Sequence, residues 1–392
     1  MTDQYDVVVV GGGIHGVGVA QAAACAGYSV MVLEKTFLAS GSSSRSSKLI
    51  HGGLRYLEGF DFSLVRESLV ERRLLLKLAP DLVHLEPFHI PVYAGTSRRP
   101  LTLRAGLLLY AFLGGLHSSC RFRKLDPAAS RLLCERDGLV ADGLQAVFQY
   151  FDAQTNDRDL TCAVMQSAMD LGAVLHCPAE FIGAEITTAG SDIRYTVDAI
   201  EKHCRARVLV NAGGPWVRMI DARVTPDPPH IELDLVQGTH LIVEGRLQQG
   251  CYYMEVPADR RAVFLLQWGE RALLGTTENL YRGAPEQVAP LAEEEAYLLA
   301  VMQHYFPGRS QHVIDRFAGL RVLPASTNTA FKRSRETHLE FDNPRAPGYV
   351  SIYGGKLTGY RATAEKIMHA LRHTLPVRKA VANTRTLKLN PV

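Results

Sequence analysis

The sequence has 392 residues, of which 47% are hydrophobic and 21% are charged, and this composition excludes a disordered, collagen-like or disulfide-stapled chain. Its length suits two domains, or one large α/β domain with a second domain inserted into it. The 43 basic residues nearly balance the 40 acidic ones, which leaves a net charge of +3. This balance argues against a nucleic-acid partner, because proteins that bind nucleic acids carry extended basic surfaces.

The seven cysteines are scattered along the chain, and no two of them form a C-x-x-C pair. This spacing predicts neither a metal site nor a disulfide framework, and it favours a reducing, cytoplasmic compartment. The longest uncharged apolar run covers residues 105–116, which is too short to span a bilayer. Because basic residues flank the run, two interpretations stay open: a helix buried in the second domain, or a helix lying on the cytoplasmic membrane face.

The first 34 residues carry the pattern of a dinucleotide-binding unit. A G-x-G-x-x-G motif begins at Gly11, directly after the β-branched run 7–10. A small-residue helix is predicted over residues 17–26, and a second strand over residues 28–33 leads to Glu34. Such glycines let the backbone approach a pyrophosphate, the helix N-terminus attracts it, and the carboxylate accepts from a ribose hydroxyl. The complete strand–helix–strand context favours this interpretation over a simple glycine turn with a solvated glutamate.

A hydroxyl-rich segment follows at residues 39–48 and leads directly to His51, Arg55 and Tyr56. Serine-rich runs are usually flexible linkers, but the cationic and aromatic side chains behind this one argue against a linker. The segment suits a flavin pyrophosphate and the approach to an isoalloxazine ring. No second G-x-G-x-x-G motif follows a strand, so the sequence predicts one tightly held dinucleotide, FAD.

Six short motifs follow one another along nearly the whole chain. They are Ser46–Glu58, Val210–Trp216, Gly238–His240, Gly275–Glu278, Gly319–Arg321 and Tyr353–Thr358. With these motifs the chain resembles the FAD-dependent glycerol-3-phosphate dehydrogenases, within the wider family of D-amino-acid-oxidase-like flavoproteins. The first and the last motif, SSKLIHGGLRYLE and YGGKLT, are the most specific of the six.

The resemblance implies an α/β fold, in which a discontinuous Rossmann-type FAD-binding domain carries an inserted antiparallel-sheet substrate domain. Alternating apolar and polar runs through residues 230–280 support the antiparallel sheet. A helix is expected from about Arg361 to Leu375, where Pro376 stops it. The expected FAD-binding domain comprises residues 1–85, 145–215 and 315–392, and the expected substrate-binding domain comprises residues 86–144 and 216–314.

The resemblance also implies a reaction, the oxidation of sn-glycerol 3-phosphate to dihydroxyacetone phosphate by hydride transfer to the flavin N5. The electrons then pass to an acceptor, a quinone or oxygen. We therefore expect a small phosphorylated substrate and an electron acceptor as partners, and neither a metal ion nor a nucleic acid. Peripheral membrane contact stays one of the two interpretations of residues 105–116.

Arg55 and Arg321 are the candidates for binding the substrate phosphate, because a guanidinium presents a planar, forked set of donors. The usual alternative for an arginine is a surface or interdomain salt bridge. Lys356 is expected beside the reactive edge of the flavin, where it contacts the substrate or stabilises charge on the reduced ring. A lysine near a helix start opposes the helix dipole, which favours a functional role. Tyr56 is a candidate hydrogen-bond partner of the substrate.

Two histidines are candidate bases, since an imidazole titrates near neutral pH. His240 is the first candidate and joins Arg55, Arg321 and Lys356 as a predicted catalytic residue. His51 is the second, although a flavin contact suits it better. For either residue the alternative is a hydrogen-bonded structural histidine.

The residues expected to contact FAD come from the glycine loop, the serine-rich segment and the later motifs, and Ala179 is added as part of the strand expected beside the adenine. They are Gly11, Gly13, Ile14, His15, Gly16, Glu34, Lys35, Ser42, Ser43, Ser47, Lys48, His51, Gly53, Leu54, Ala179, Gly213, Gly214, Trp216, Gly355, Lys356, Leu357 and Thr358.

Several positions depart from the pattern of the family. The chain has Gln267 where the family usually carries proline, Glu278 where it carries aspartate, and Val322 where it carries proline. It also ends at Val392, so we expect a short member without the C-terminal helical domain of longer relatives. These departures leave room for two different functions: FAD-dependent oxidation of another small anionic alcohol or of an amine, and flavin binding without turnover.

Overall fold

The computed structural model of this chain describes residues 3–326 and 336–392, and its strands form two sheets. Residues 1–2 and 327–335, which belong to the expected FAD-binding ranges, lie outside the described residues. In chain order the strands are β1 (Asp3–Val10), β2 (Val30–Leu33), β3 (Leu49–Ile50), β4 (Val83–Tyr93), β5 (Arg123–Lys124), β6 (Leu144–Thr155), β7 (Val174–His176), β8 (Glu180–Thr187), β9 (Gly190–Val197), β10 (Ile200–Asn211), β11 (Val224–Thr225), β12 (Leu233–Glu244), β13 (Cys251–Glu255), β14 (Ala262–Trp268), β15 (Arg271–Gly275), β16 (Asn279–Tyr281), β17 (Val313–Pro324), β18 (His338–Phe341) and β19 (Tyr349–Tyr353). The α-helices are α1 (Ile14–Cys25), α2 (Phe62–Leu78), α3 (Pro100–Leu113), α4 (Pro127–Asp137), α5 (Asp157–Met169), α6 (Val217–Asp221), α7 (Ala292–Tyr305) and α8 (Tyr360–Ala370).

The first sheet is built around parallel strands, in the order β11-β8-β9-β10-β1-β2-β7. Strand β1 pairs in parallel with β2 and β10, and β10 pairs in parallel with β19. Strand β9 pairs antiparallel with β8 and β10, and β18 pairs antiparallel with β19. Because β1, β10 and β19 are parallel, their carboxyl ends meet at one edge of the sheet, where ligands bind in open α/β sheets.

Strand β1 is buried on both faces, as its β-branched run predicts. Val7 and Val9 pack in a core cluster with residues of α1, α5 and α8. Val8 and Val10 face the other way, into a cluster that contains Phe181 of β8. Alternate side chains of a strand point to opposite faces, so an unbroken apolar run fits a strand covered on both sides. The predicted order of strand, glycine loop, helix and strand over the first 34 residues is confirmed.

The second sheet has the order β16-β12-β15-β14-β13-β4-β6-β3, with β17 paired to β12 and β5 paired to β6. Its neighbours are antiparallel, as the alternating pattern predicts, except for the parallel pair β4 and β13. Helices α2 and α3 pack on one apolar cluster of this sheet. Helix α7 packs on another cluster, formed with strands β12 to β15.

One local prediction, the end of the last helix, differs from the structure. Helix α8 ends at Ala370 and continues as a 3₁₀ turn over Leu371–His373, before the expected end at Leu375. The Thr374 amide donates to the Leu371 carbonyl oxygen at 3.0 Å, which is the i→i+3 bond of a 3₁₀ turn.

Strands β3, β6 and β17 fall in ranges expected to belong to the FAD-binding domain, but they pair in the second sheet. Strand β6 belongs to the second sheet because it pairs antiparallel with β4 along nearly its whole length, from Val83 opposite Thr155 to Tyr93 opposite Leu144. The domain boundaries themselves stay a prediction.

Candidate active site

A cavity of about 490 Å³ is lined by residues of both sheets and by the loops that follow β1, β10 and β19. This volume lies in the range typical of small-molecule sites. The cavity brings together all of the site residues predicted from sequence except two, Gly16 and Lys48. Residues as distant in sequence as Gly11, Arg55, His240 and Lys356 therefore face one space.

The glycine loop after β1 is shaped by its lack of side chains. Gly11 has φ +112°, and a Cβ atom there would lie 2.6 Å from the Ala212 carbonyl oxygen. A Cβ atom at Gly16 would overlap the Gly11 carbonyl oxygen. Gly16 therefore does not line the cavity but lets helix α1 pack closely on the loop, which is the third role of glycine in such a motif.

Glu34 closes the strand–helix–strand unit. Its Oε2 accepts from the Gly12 amide at 2.7 Å, and its Oε1 accepts from the Thr36 amide at 2.9 Å. The carboxylate thus bridges the glycine loop and the turn after β2, while it lines the cavity. It is buried and held in place by backbone donors, as a ribose acceptor at this position requires.

The serine-rich segment is ordered by hydrogen bonds rather than flexible. Ser43 Oγ accepts from the Ile14 amide at 2.9 Å, at the first turn of α1. Ser42 Oγ donates to the Leu320 carbonyl oxygen at 2.5 Å, and Ser47 Oγ lies 2.9 Å from His240 Nε2. The segment therefore links the nucleotide loop to strands β12 and β17 of the second sheet.

Lys48 is directed away from the cavity, although it was expected to contact FAD. Its Nζ forms a buried ion pair with Asp157 and donates to the Ser44 carbonyl oxygen. Asp157 Oδ2 also accepts from the Ser46 amide at 3.0 Å. The physical reason is burial, because an ammonium taken out of water needs a compensating carboxylate. Lys48 and Asp157 thus hold the serine-rich segment in place through contacts with Ser44 and Ser46, and Lys48 does not line the cavity.

Arg55 and Arg321 converge in the cavity on a carboxylate that was not predicted as a site residue. Glu278 Oε1 lies 3.5 Å from Arg55 Nη1 and 3.4 Å from Arg321 Nη1. Burial alone would lower the pKa of Arg55, but Tyr56 and Glu278 raise it above its usual value. The Arg55 guanidinium therefore stays charged, and it lies close enough to that of Arg321 for the two to share one anion.

Lys356 reaches the same region from the loop after β19. Its Nζ donates to Ser68 Oγ at 2.7 Å and lies 4.6 Å from the centre of the Tyr56 ring. The Arg55 guanidinium lies 5.4 Å from the same ring. Both cations therefore lie within cation–π distance of the Tyr56 ring.

His240 lies on β12, where its ring stacks on Phe317 with the ring centres 5.0 Å apart. Burial, together with Arg321 and Lys48, lowers the pKa of His240 well below its usual value. Its Nε2 is hydrogen-bonded to Ser47, and its buried Nδ1 has no hydrogen-bond partner among the described residues. The lowered pKa keeps the ring uncharged at neutral pH, so one ring nitrogen carries a lone pair, and it makes the ring a weaker base than a free imidazole.

His51 and the two glycines after it form a loop at the cavity wall. The His51 amide donates to Thr358 Oγ1 at 3.2 Å, which joins the first and the last motif. The Gly52 amide donates to Asp152 Oδ1 at 3.0 Å, and Tyr110 of α3 donates to the same oxygen at 3.0 Å. Asp152 is also paired with Arg72, so a fully buried network holds this loop.

His15 faces the cavity from the start of α1. A Cβ atom at Gly355, which has φ +99°, would overlap the His15 ring. Burial lowers the pKa of His15 to about 4, and neither ring nitrogen has a hydrogen-bond partner among the described residues. A buried imidazole without partners indicates that a ligand completes its hydrogen bonding.

The far end of the cavity is lined by Lys35, Ala179 and the loop after β10. Lys35 forms a partly exposed ion pair with Glu180, at 3.1 Å. The Ala179 amide donates to the Glu34 carbonyl oxygen at 2.7 Å, so it is already satisfied within the protein. In the loop after β10, Trp216 donates to Glu286. The structure thus brings both ends of the predicted FAD site into one continuous space.

Sequence reasoning missed Glu278, Asp152 and Arg261, which also line the cavity. Of these three, only Glu278 could have been recognised from the sequence, because it stands in a motif where the family usually has aspartate. Asp152 and Arg261 stand outside every motif and reach the cavity only through strand pairing. Among the described residues, no cluster of three or more His, Cys, Asp or Glu side chains is placed to hold a metal ion.

Comparison with known proteins gives matches along nearly the whole chain. Residues 6–364 match the family described as FAD dependent oxidoreductase. The chain is 34% identical over 380 residues to D-erythritol 1-phosphate dehydrogenase of Brucella abortus, across 95% of this chain and 74% of that protein. It is 37% identical over 380 residues to glycerol-3-phosphate dehydrogenase of Pseudomonas aeruginosa, across 95% of this chain and 72% of that protein. Among solved structures, glycerol-3-phosphate dehydrogenase from Bacillus halodurans complexed with FAD matches with a TM-score of 0.76 and 25% identity, over 98% of this chain and 68% of that one.

The residues of the cavity fit FAD. The glycine loop leaves space where side chains would stand, and the N-terminus of α1 points its dipole at that space. Glu34 supplies an acceptor for a ribose, and His15 supplies a neutral ring whose nitrogens have no hydrogen-bond partner within residues 3–326 and 336–392. Gly355 lets the backbone of the last motif approach closely.

Proposed function

We propose that this chain, which belongs to the FAD dependent oxidoreductase family, oxidises the secondary hydroxyl of sn-glycerol 3-phosphate to give dihydroxyacetone phosphate. The observation that carries the proposal is the convergence of Arg55, Arg321 and Lys356 on the cavity that the glycine loop also lines. Oxidation of a phosphorylated alcohol requires cations for the phosphate beside the flavin, and relatives that act on phosphorylated alcohols share about a third of the sequence.

Arg55 and Arg321 are proposed to bind the substrate phosphate. Their Nη1 atoms both lie within 3.5 Å of one oxygen of Glu278, so the two guanidiniums are close enough to each other to bind one phosphate together. Both side chains are about four-fifths buried, which strengthens their attraction for an anion relative to a solvated pair. Binding the phosphate at two points orients the carbinol carbon of the substrate.

His240 is proposed to accept the hydroxyl proton of the substrate. Its ring is uncharged at neutral pH, and its Nδ1 has no partner among the described residues. When bound, FAD accepts the hydride from the carbinol carbon. The protonated ring would be opposed by Arg321 and Lys48, so the proton has to leave His240 readily. His51 remains the second candidate for the base.

Lys356 is proposed to act at the flavin side of the cavity. Its position between Ser68 and the Tyr56 ring holds the ammonium near the loop that approaches FAD. With FAD bound, an ammonium at this position would stabilise negative charge on the reduced flavin or contact the substrate. The Tyr56 ring would keep the ammonium in this orientation.

Peripheral membrane contact through α3 is proposed as the route to a quinone acceptor, with oxygen as the second candidate acceptor. Leu103, Leu107 and Tyr110 of this helix face the core, whereas Leu108 is 55% exposed and Phe112 is 70% exposed. No helix formed by the described residues is long and apolar enough to cross a membrane. An amphipathic helix with basic flanks instead lies in the plane of the interface.

Flotation with anionic liposomes tests this contact. The native protein should float with the liposomes, and a variant with both Leu108→Gln and Phe112→Gln should stay in the bottom fraction. Leu280→Gln is the matched control, since Leu280 is exposed on β16 and should not change flotation. Native protein that stays in the bottom fraction contradicts the membrane proposal.

D-Erythritol 1-phosphate is the second candidate substrate, because a relative named for its oxidation is 34% identical along 95% of this chain. The two phosphorylated alcohols share the phosphate and the adjoining polyol and differ in chain length. Oxidation of an amine and flavin binding without turnover are weaker candidates, since neither of them needs two arginines and a lysine beside the flavin.

Anaerobic reduction of the purified flavoprotein separates these candidates. We expect glycerol 3-phosphate to bleach the flavin absorbance and glycine and proline to leave it unchanged. Faster bleaching by D-erythritol 1-phosphate would move the assignment to the longer polyol. Bleaching by an amino acid alone would contradict oxidation of a phosphorylated alcohol, and a flavin that no candidate bleaches would support the binding protein.

A further inference from the structure

Glu278 lies beside the two arginines that the proposed function gives to the substrate phosphate. Its Oε1 lies 3.5 Å from Arg55 Nη1 and 3.4 Å from Arg321 Nη1. The side chain is only 5% exposed and lines the cavity. A buried carboxylate between two guanidiniums is a site of fixed charge, unlike a solvent-exposed ion pair, which is weak and readily rearranged.

The segment that carries Glu278 is held rigidly. Arg321 Nη2 donates to Thr276 Oγ1 at 3.2 Å, and Arg321 Nη1 donates to the Thr277 carbonyl oxygen at 3.3 Å. Thr277 Oγ1 in turn donates to the buried Glu294 at 2.7 Å. Arg261 Nη1 donates to the Glu278 carbonyl oxygen at 3.3 Å. The carboxylate is therefore presented to the arginines by a braced backbone.

The charges at this point select between ligands. Glu278 offsets one of the two positive charges of Arg55 and Arg321, so these arginines attract a dianion less strongly than they would without the carboxylate. A carboxylate also accepts hydrogen bonds and donates none. A ligand with hydroxyl groups compensates Glu278 by donating to it, whereas a dianion without hydroxyl groups only repels it.

Glutamate reaches further than the aspartate usual in the family, by one methylene group. The longer side chain places one oxygen within 3.5 Å of both arginines. The replacement of aspartate by Glu278 is thus located at Arg55 and Arg321, the two arginines that the proposed function gives to the substrate phosphate.

We propose that Glu278 determines substrate specificity: it weakens the binding of simple anions at Arg55 and Arg321 and accepts a hydrogen bond from a hydroxyl of the substrate. The site then takes phosphate esters of polyols in preference to anions that have no hydroxyl group. This inference rests on the proposed function, since it places the phosphate of the substrate at the same two arginines.

Binding of sulfate to the FAD-loaded protein tests the proposal without turnover. Sulfate is a dianion without a hydroxyl group, and its binding is followed by the change in the flavin absorption spectrum at constant ionic strength. Glu278→Gln keeps the shape of the side chain and removes its charge, so we expect the dissociation constant of sulfate to fall at least about fivefold. The ratio of the sulfate dissociation constant to the KM of glycerol 3-phosphate should also be lower in Glu278→Gln than in the native protein, because the variant loses the acceptor for the substrate hydroxyl.

Two further variants make the result specific. Glu278→Asp keeps the charge but withdraws it from the arginines, and it should bind sulfate with an affinity between those of the native protein and Glu278→Gln. Glu286→Gln removes the same charge from another cavity-lining residue, one that contacts Trp216, and should change sulfate binding less than twofold.

Sulfate binding that is unchanged or weaker in Glu278→Gln would overturn the proposal, because it would mean that Glu278 only holds the arginines in position. If Glu278→Gln does not retain FAD, the Glu278→Asp result decides in the same way. Failure of the proposed function is seen separately, as native flavin that glycerol 3-phosphate does not bleach.

Discussion

The two ends of the cavity are built in different ways. The nucleotide end is formed by backbone, from the glycine loop after β1 with Glu34 only 23 residues further on. The substrate end is formed by charged side chains, and Arg55, Glu278, Arg321 and Lys356 come from separate parts of the chain. The first end depends on the absence of side chains, and the second depends on the presence of a few.

This difference determines how each end responds to substitution. An added methyl group should damage the nucleotide end, because the backbone there has no space to move. Loss of a single charge should damage the substrate end and leave the bound flavin in place.

Gly11→Ala should abolish FAD retention. The new Cβ atom would lie 2.6 Å from the Ala212 carbonyl oxygen at a φ of +112°, so we expect FAD affinity to fall at least about 100-fold, or about 3 kcal/mol. Gly106→Ala is the control, because a Cβ atom there meets nothing within 4 Å. The bound flavin per protein after gel filtration measures the effect. Equal flavin content in the two variants would contradict a backbone-built nucleotide end.

Arg321→Ala should affect the substrate end alone. A charge-assisted hydrogen bond contributes about 1.5–3 kcal/mol, so kcat/KM for glycerol 3-phosphate should fall about 100-fold, mainly through a higher KM. Arg316→Ala is the matched control, since Arg316 lies on the same strand and pairs with Glu295 at the surface. Flavin content should stay equal in both. A parallel loss of FAD from Arg321→Ala would place this residue at the nucleotide end instead.

The stability of the second sheet should fall between pH 7 and pH 5 because of His89. Burial lowers the pKa of His89 to about 4, so the folded state keeps this ring neutral while the unfolded state gains a proton below about pH 6.5. The free energy of unfolding should therefore lose about 2 kcal/mol through His89 over that interval. Urea unfolding of His89→Gln should show a shallower pH dependence by that amount. His203→Gln, at the surface, is the control, and an equal slope in native protein and His89→Gln would refute the prediction.

Tyr110→Phe should give the smallest effect. It removes one of the donors to Asp152 and leaves the bonds from Arg72 and the Gly52 amide, so the free energy of unfolding should fall by about 1 kcal/mol. Tyr281→Phe, which removes an exposed hydroxyl, should change it by less than about 0.5 kcal/mol. A loss above about 3 kcal/mol would mean that the Gly52 loop collapses without this single bond.

The sequence was sufficient for the nucleotide end because the features that form it are local. Strand β1, the glycine loop, α1 and Glu34 are consecutive, and each has a recognisable pattern. The cofactor was predicted from these local features and the family from six motifs along the chain, and both predictions are confirmed by the match over residues 6–364 and by the relatives that share about a third of the sequence.

The contacts at the substrate end could not be predicted, because they depend on the pairing of distant strands. Glu278 approaches Arg321 because β12 pairs with both β16 and β17. Lys48 lies within a specific motif, yet its partner Asp157 stands more than 100 residues away and turns it from the cavity. Asp152 has no local signal at all, since its role follows from the register of β4 and β6.

Anaerobic rapid mixing with glycerol 3-phosphate and with glycerol tests most directly whether the cationic end selects a phosphorylated alcohol for the bound FAD. Both compounds carry the secondary hydroxyl, and only one carries the phosphate that Arg55 and Arg321 are proposed to bind. We predict that glycerol 3-phosphate bleaches the flavin with a saturable rate, and that the second-order rate constant for glycerol is at least about 100-fold lower. Equal rate constants for the two, or no bleaching by either, would contradict the account.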